Sequence, residues 1–225
     1  MESGGTQDDT RVSTLFDDRA EAGRALAAAL APADVVNAVV VGLARGGVAV
    51  AAEVARAFSL PLDALAVRKI GYPSQPEYGI GAVTPGESGV YVRSEEGVGP
   101  GALSRAIGDA RAAAEALDAV LHEHCRPAAL GGRTAQLVDD GLATGSTMVA
   151  AVRWAQAQGA TRVVVGVPVG AVESVGMLQL EADEVVCPHA QRHFGAVGFW
   201  YRHFEQVEIV EVLKLLVELG APATG

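Results

Sequence analysis

The chain has 225 residues, of which 50% are hydrophobic and 20% charged, and this balance excludes disordered and fibrous proteins. The formal net charge is −10 and no apolar run reaches the roughly 20 residues that cross a membrane, so we expect neither a nucleic-acid nor a membrane partner. The two cysteines, Cys125 and Cys187, form no disulfide or metal-binding pattern, and we expect a reducing, cytoplasmic location.

The predicted elements alternate between short apolar strands and amphipathic helices. Residues 1–14 are polar and contain several glycines, which predicts a flexible N-terminal arm, and residues 15–225 predict one domain. We expect strands near 35–43, 62–69, 134–138, 161–169 and 183–187, and helices near 16–30, 45–58, 102–125, 146–158, 171–181 and 207–219. This alternation predicts an α/β fold with a Rossmann-like, mostly parallel central sheet and helices on both faces.

One segment departs from this alternation. Residues from about 70 to 92 contain many glycines and prolines, and they predict a long mobile loop or a small hairpin. In an open parallel sheet, ligands bind beyond the carboxyl ends of the strands. The candidate site residues are therefore those that follow the strands: Arg45, Gly46, Gly47, Arg68, Lys69, residues 139–147 and the segment from His189.

The segment LVDDGLATGST (137–147) carries the strongest chemical signal. Gly145 permits a tight turn into the next helix, and the free N–H groups of residues 144–147 form a cradle for an anion. Hydroxyl groups are added by Thr144, Ser146 and Thr147. The adjacent carboxylates of Asp139 and Asp140 can accept hydrogen bonds from a diol or coordinate magnesium through water. These features predict a sugar-phosphate site, although TGST could instead simply cap a helix.

The same segment resembles a known family. VDDGLATGST (138–147) is similar to the motif with which type I phosphoribosyltransferases bind 5-phosphoribosyl 1-pyrophosphate (PRPP). LARGGVAVAAEVA (43–55) resembles the pyrophosphate loop of the family, and VRKIGYPSQPEYGIGAV (67–83) resembles its basic strand end and flexible catalytic loop. Together with FGAVGFWYRHFEQV (194–207), these segments resemble a bacterial group of the family over residues 15–217.

The resemblance implies a role for each motif. Asp139 and Asp140 would hold the ribose hydroxyls and, directly or through water, Mg²⁺. The 5-phosphate would lie against Ala143, Thr144, Gly145, Ser146 and Thr147. The pyrophosphate would lie against Arg45, Gly46 and Gly47, with Lys69 and Arg68 neutralising its charge. A cis peptide bond between Ala44 and Arg45 is implied as well.

The composition singles out Lys69 independently of the resemblance. Lys69 and Lys214 are the only lysines among 17 basic residues, and Lys69 ends a predicted strand beside the glycine-rich segment. The alternatives are that Lys69 is a solvated strand end and that Arg45 is an exposed cation in a turn.

The resemblance also implies the fold of the type I family, with a mobile catalytic loop at about 70–92 and a small C-terminal hood at about 187–206. In this hood a heterocyclic base would stack on Phe194, Phe199, Trp200 or Tyr201. Such a cluster of aromatic residues can also close a core or a subunit contact. His189 and His193 could take part in proton transfer or be structural.

The implied activity is a Mg²⁺-dependent transfer of ribose 5-phosphate from PRPP to a nitrogenous base, in our interpretation a nucleobase, with release of pyrophosphate. The alternative is a regulatory protein that binds PRPP or a nucleotide without turnover. A hydrolase or phosphatase is disfavoured because no nucleophile stands at a strand end. By analogy with the family we also expect a homodimer.

Overall fold

The structure is a computed structural model that describes residues 14–93 and 97–220. The predicted arm, residues 1–14, lies outside the described residues except for Thr14. The elements follow in chain order: α1 (Arg19–Ala29), β1 (Ala38–Ala44), α2 (Gly46–Phe58), β2 (Leu62–Ala66), β3 (Arg68–Tyr72), β4 (Gln75–Val83), β5 (Val90–Val92), α3 (Pro100–Leu121), β6 (Thr134–Val138), α4 (Ser146–Ala157), β7 (Arg162–Gly166), β8 (Val169–Ala171), α5 (Val172–Leu178), β9 (Glu184–Val186), β10 (His189–Gln191) and α6 (Ile209–Leu219). Among these described helices, none combines the length and apolar character that a membrane span needs.

The central sheet has five parallel strands in the order β2-β1-β6-β7-β9, as the alternating pattern predicts. Its strands are short apolar runs because helices cover both faces. Val41 in β1, for example, lies between Asp63 of β2 and Leu137 of β6. The carboxyl ends of β1 and β6 are therefore neighbours, and the turns that follow them meet.

Two hydrophobic clusters hold the helices on the sheet. On one face, α1, α2 and α6 contribute residues such as Leu26, Val54 and Leu216. On the other face, α4 contributes Met148 and Val152. Each of these side chains is almost fully buried, and each such burial stabilises the fold by about 1.5–3 kcal/mol. The sheet is thus a rigid base for the turns at its carboxyl edge.

Two buried polar side chains interrupt the core. Asp63 in β2 accepts hydrogen bonds from the Ala128 N–H at 2.8 Å and lies 2.9 Å from Nε2 of His122, whose Nδ1 lies 3.2 Å from Asp118. Gln136 in β6 is 0% exposed, and neither polar atom of its side chain has a hydrogen-bond partner within the described part of the chain. The contacts of Asp63 with His122 join the end of α3 to the sheet, whereas the buried amide of Gln136 lowers the stability of the fold.

Residues 68–92 form a second, antiparallel sheet of three strands, β3-β4-β5. The strand expected at 62–69 therefore divides at Val67: its first part belongs to the central sheet and its end begins β3. Ile70 and Ile80 are buried, together with Val83, against one side of α3. Of the two predicted forms of this segment, the structure has the hairpin-like one, because alternate apolar residues find a partner on α3.

The predicted hood, residues 187–206, lies between β9 and α6. Its strand β10 pairs with β8, and a 3₁₀ turn follows at Val197–Trp200. Backbone hydrogen bonds then join residues 200–203 to residues 15–17, which directly precede α1. The start of α1 is therefore part of the same layer as the hood.

Candidate active site

The turn from β6 into α4 forms the centre of the site. Gly145 has a φ of +76°, a left-handed conformation that favours glycine. The Ser174 hydroxyl donates to the Ala143 carbonyl at 2.5 Å, which fixes the turn from α5. The first N–H groups of α4 have no acceptor within the helix and form an anion-binding end.

A cavity of about 260 Å³ lies at this end of α4. It is lined by Lys69, Glu77, Tyr78, Gly79, Gly81, Arg93, Thr144, Ser146 and Thr147. Lys69 lies at this cavity, beside Thr144 and Thr147, whereas the Arg68 guanidinium donates to the Val67 carbonyl at 3.5 Å. Arg93 is a second cation in this cavity, and no motif in the sequence predicted it. Two cations outnumber the one carboxylate, Glu77, and together with the hydroxyls of Thr144, Ser146 and Thr147 they favour a phosphate as the occupant.

The glycine turn after β1 packs directly on the acid pair. A Cβ on Gly47 would lie 2.9 Å from Oδ1 of Asp139 and 2.7 Å from the Val138 carbonyl oxygen. A Cβ on Gly46 would overlap Oδ2 of Asp140. The peptide bond between Ala44 and Arg45 is cis, as the resemblance implies. Two motifs that lie far apart in the sequence therefore form one continuous surface.

The environment of the two acids disfavours their charge. Burial raises the pKa of Asp139 well above its usual value, and the charge of Asp140 raises it further, while Arg19 and Lys69 oppose the rise. Burial also raises the pKa of Asp140, although Arg19 opposes this through its charge and a hydrogen bond. The Asp140 N–H donates to Oδ1 of Asp139 at 2.9 Å. A ligand that donates hydrogen bonds or brings positive charge is therefore favoured here.

Arg19 is a site residue that the sequence analysis missed. Its Nε donates to Oδ2 of Asp140 at 2.8 Å, across 121 positions of sequence. No local motif marks an arginine at the start of a helix as the partner of such a distant acid. Arg45 also has a partner in the hood, since its guanidinium contacts the side-chain amide of Gln206, whose oxygen can accept from it.

Comparison with known proteins agrees with this geometry. The family model described as "Phosphoribosyl transferase domain" matches residues 16–197. The chain belongs to the phosphoribosyl transferase family. Two curated proteins of Mycobacterium tuberculosis, from strains H37Rv and CDC 1551, are each 44% identical to it over 207 residues, and their names place them among the phosphoribosyl transferases.

The chain is also similar to a solved structure. The crystal structure of TT1426 from Thermus thermophilus is 40% identical, covers 92% of this chain and 99% of its own, and superposes with a TM-score of 0.78. The matched region includes 90% of this chain but 46% of each mycobacterial protein, so the chain spans about half the length of these curated relatives. The resemblance drawn from the motifs is confirmed.

The donor set of this phosphoribosyl transferase site fits magnesium that arrives with phosphate groups. Mg²⁺ in proteins is held by one or two carboxylates, with substrate phosphates and water completing six oxygen ligands. Asp139 and Asp140 supply such carboxylates. Within residues 14–93 and 97–220, no group of three or more His, Cys, Asp or Glu side chains could hold a metal alone. The chain therefore offers part of a magnesium site, and phosphates would have to complete it.

The four aromatic residues expected to bind a base differ in burial. Phe194, Trp200 and Tyr201 are buried in one cluster with Phe16, and the Trp200 indole N–H donates to the Phe194 carbonyl at 3.1 Å. Phe199, in contrast, is 59% exposed. Three of the four rings thus build the hood itself, which is the alternative that the sequence left open for them.

The two hood histidines also differ. His189 lies edge-to-face on Phe16, with ring centroids 5.6 Å apart, and is half-buried. His193 is exposed. The contact with Phe16 favours a structural role for His189 in this family member.

Proposed function

We propose that the chain is a Mg²⁺-dependent phosphoribosyltransferase that transfers ribose 5-phosphate from PRPP to a nitrogenous base, in particular a nucleobase, and releases pyrophosphate. The proposal is carried by one observation: Gly46 and Gly47 pack against Asp139 and Asp140, and the same turn continues into Thr144, Ser146 and Thr147, which line a cavity with Lys69. A pyrophosphate loop, a pair of ribose-binding acids and a phosphate cradle would then follow the order in which PRPP carries these groups.

Each part of PRPP has a place in this arrangement. The 5-phosphate would accept hydrogen bonds from the start of α4, with the Thr144 and Thr147 hydroxyls and Arg93 around it. The ribose hydroxyls would donate to Asp139 and Asp140. The pyrophosphate would lie against the amides at the start of α2, where the helix dipole favours negative charge.

The reaction needs charge stabilisation rather than a covalent nucleophile. As the anomeric C–O bond breaks, its electron pair leaves with pyrophosphate, and the lone pair of the acceptor nitrogen forms the new bond to the anomeric carbon with inversion. Positive charge grows on the ribose beside the acid pair, and negative charge grows on the leaving group near Lys69 and Arg45. Bound magnesium would add positive charge at the pyrophosphate oxygens.

Water competes with the acceptor for the anomeric carbon, so the site needs a cover. We propose that the segment at about 70–92 closes over bound PRPP and excludes water, and that the moving part is the tip of its β3–β4 hairpin, which carries Tyr78 at the cavity, while the rest of the strands stays packed on α3. The predicted homodimer and cytoplasmic location stay predictions.

The proposal is tested by incubating the protein with PRPP, Mg²⁺ and a panel of purine, pyrimidine and pyridine bases. The expected result is pyrophosphate release that depends on one base or a small group of bases. Release that no base changes would favour a hydrolase. Binding of PRPP without release would favour the regulatory alternative.

A further inference from the structure

Arg19 makes three contacts from the start of α1. Its Nε donates to Oδ2 of Asp140 at 2.8 Å, its Nη1 donates to the Glu205 carbonyl at 2.8 Å, and its Cζ lies 3.9 Å from the centre of the Phe204 ring. The side chain is 13% exposed. A guanidinium held by a carboxylate, a carbonyl and a ring has little freedom to rotate.

These contacts fix Asp140 on one side only. Oδ2 is held by Arg19 and lies where a Cβ on Gly46 would be. The carbonyl of Asp140 accepts from the Tyr201 hydroxyl at 2.6 Å. The side-chain hydrogen bond that the structure gives this carboxylate, from Arg19, is made at Oδ2 and not at Oδ1. The carboxylate is 15% exposed, so one oxygen is held while the other is left for a ligand.

The hood supplies the other two contacts of Arg19 and the hydroxyl that binds the Asp140 carbonyl. Tyr201, Phe204 and Glu205 lie in the hood, and residues 15–17, directly before α1, are hydrogen-bonded to residues 200–203. The hood also reaches Arg45 through Gln206. The acceptor side and the PRPP side of the site are therefore joined through contacts that no single motif contains.

We propose that Arg19 is a positioning residue that orients Asp140 for the ribose and ties it to the hood. This inference rests on the proposed function, because it takes Asp140 as a ribose-binding acid. Without Arg19, the carboxylate of Asp140 loses its fixed rotamer and its link to residues 204 and 205. Loss of a side chain that orients a ligating carboxylate typically costs about 10- to 100-fold in affinity or activity.

The test is isothermal titration of the full chain with PRPP and Mg²⁺, and separately with pyrophosphate and Mg²⁺. For R19Q we expect PRPP affinity to fall about 10-fold or more, whereas pyrophosphate affinity should fall less, because pyrophosphate lacks the ribose hydroxyls that Asp140 would hold. The PRPP affinity of R19K should lie between those of the wild type and R19Q, since an ammonium keeps the charge but lacks the planar guanidinium. R24Q is the matched control on the same helix, because Arg24 is 61% exposed and 3.7 Å from Glu53.

A double-mutant cycle sharpens the test. In a D140N background R19Q should cause little further loss of PRPP affinity, because Arg19 acts through Asp140. Wild-type PRPP affinity in R19Q, or equal losses for PRPP and pyrophosphate, would overturn the inference. If R19Q does not fold, as judged by circular dichroism, R19K with wild-type PRPP affinity would overturn it. A wild-type protein that binds no PRPP would instead refute the proposed function, and the inference with it.

Discussion

The packing of Gly47 on the acid pair makes a quantitative prediction for Gly47→Ala. The new Cβ would lie 2.7 Å from the Val138 carbonyl oxygen and 2.9 Å from Cα of Asp139. Both neighbours are backbone atoms at the end of β6, so no side chain can turn away to relieve the contact. The end of β6 and the start of α2 must separate by roughly 0.7 Å to restore ordinary van der Waals contact. This displacement is close to the 1 Å misplacement of a reacting group that lowers activity by about 100-fold.

Two effects should follow from this displacement. Overpacking of this kind destabilises a protein by about 1–3 kcal/mol, which urea denaturation would measure as a lower midpoint. Because the displaced atoms carry the Asp139 carboxylate, the affinity for PRPP should fall about 10- to 100-fold in the same variant. Isothermal titration with PRPP and Mg²⁺ measures the second effect independently of the first.

Gly108→Ala is the matched control. Gly108 lies within α3, and a Cβ there would meet no atom within 4 Å. Because alanine is the better helix former, this variant should be more stable by about 0.5–1 kcal/mol and should bind PRPP as the wild type does. A Gly47→Ala protein with wild-type stability and wild-type PRPP affinity would refute the packing described for the two turns.

Three further predictions concern the acids and the core. Asp139→Asn combined with Asp140→Asn should abolish measurable PRPP binding in a calorimeter while the circular dichroism spectrum is kept; unchanged affinity would remove the acids from the site. Gln136→Leu should raise the unfolding free energy by about 1–3 kcal/mol, because two buried polar atoms without partners are removed; a lower denaturation midpoint would contradict this. Burial alone would lower the pKa of His122, but hydrogen bonds and charges from two carboxylates outweigh it and raise the pKa to about 10. Stability should therefore fall as the pH rises from about 6.5 towards 10, and His122→Gln should flatten this slope in denaturation curves recorded across that range.

The parts of the fold that the sequence predicted are those with a strong local signal. The strand at 134–138 has the predicted bounds, because an apolar run stands between a glycine-rich turn and an acidic one. The helix predicted at 146–158 begins at Ser146, directly after the turn at Gly145. The sequence also predicted that the turns after β1 and β6 lie at the same edge of the sheet, because ligands bind at the carboxyl ends of parallel strands.

What the sequence did not predict depends on contacts between distant segments. A strand of the central sheet ends at Ala66 and a strand of the second sheet begins at Arg68, although the sequence predicts one strand through both. Arg93 follows a short strand with no motif of its own and reaches the cavity because β5 pairs with β4. Such residues are visible only when the register between strands is known.

The placement of the hood rings limits how an acceptor can be recognised. Phe194, Trp200 and Tyr201 already pack on Phe16 or on one another, so stacking a base on any of them would require that cluster to open. Phe199 is the ring that the hood leaves exposed. Of the four rings expected to bind a base, Phe199 is therefore the candidate for stacking, and the other three would influence an acceptor through the position of the hood rather than by contact.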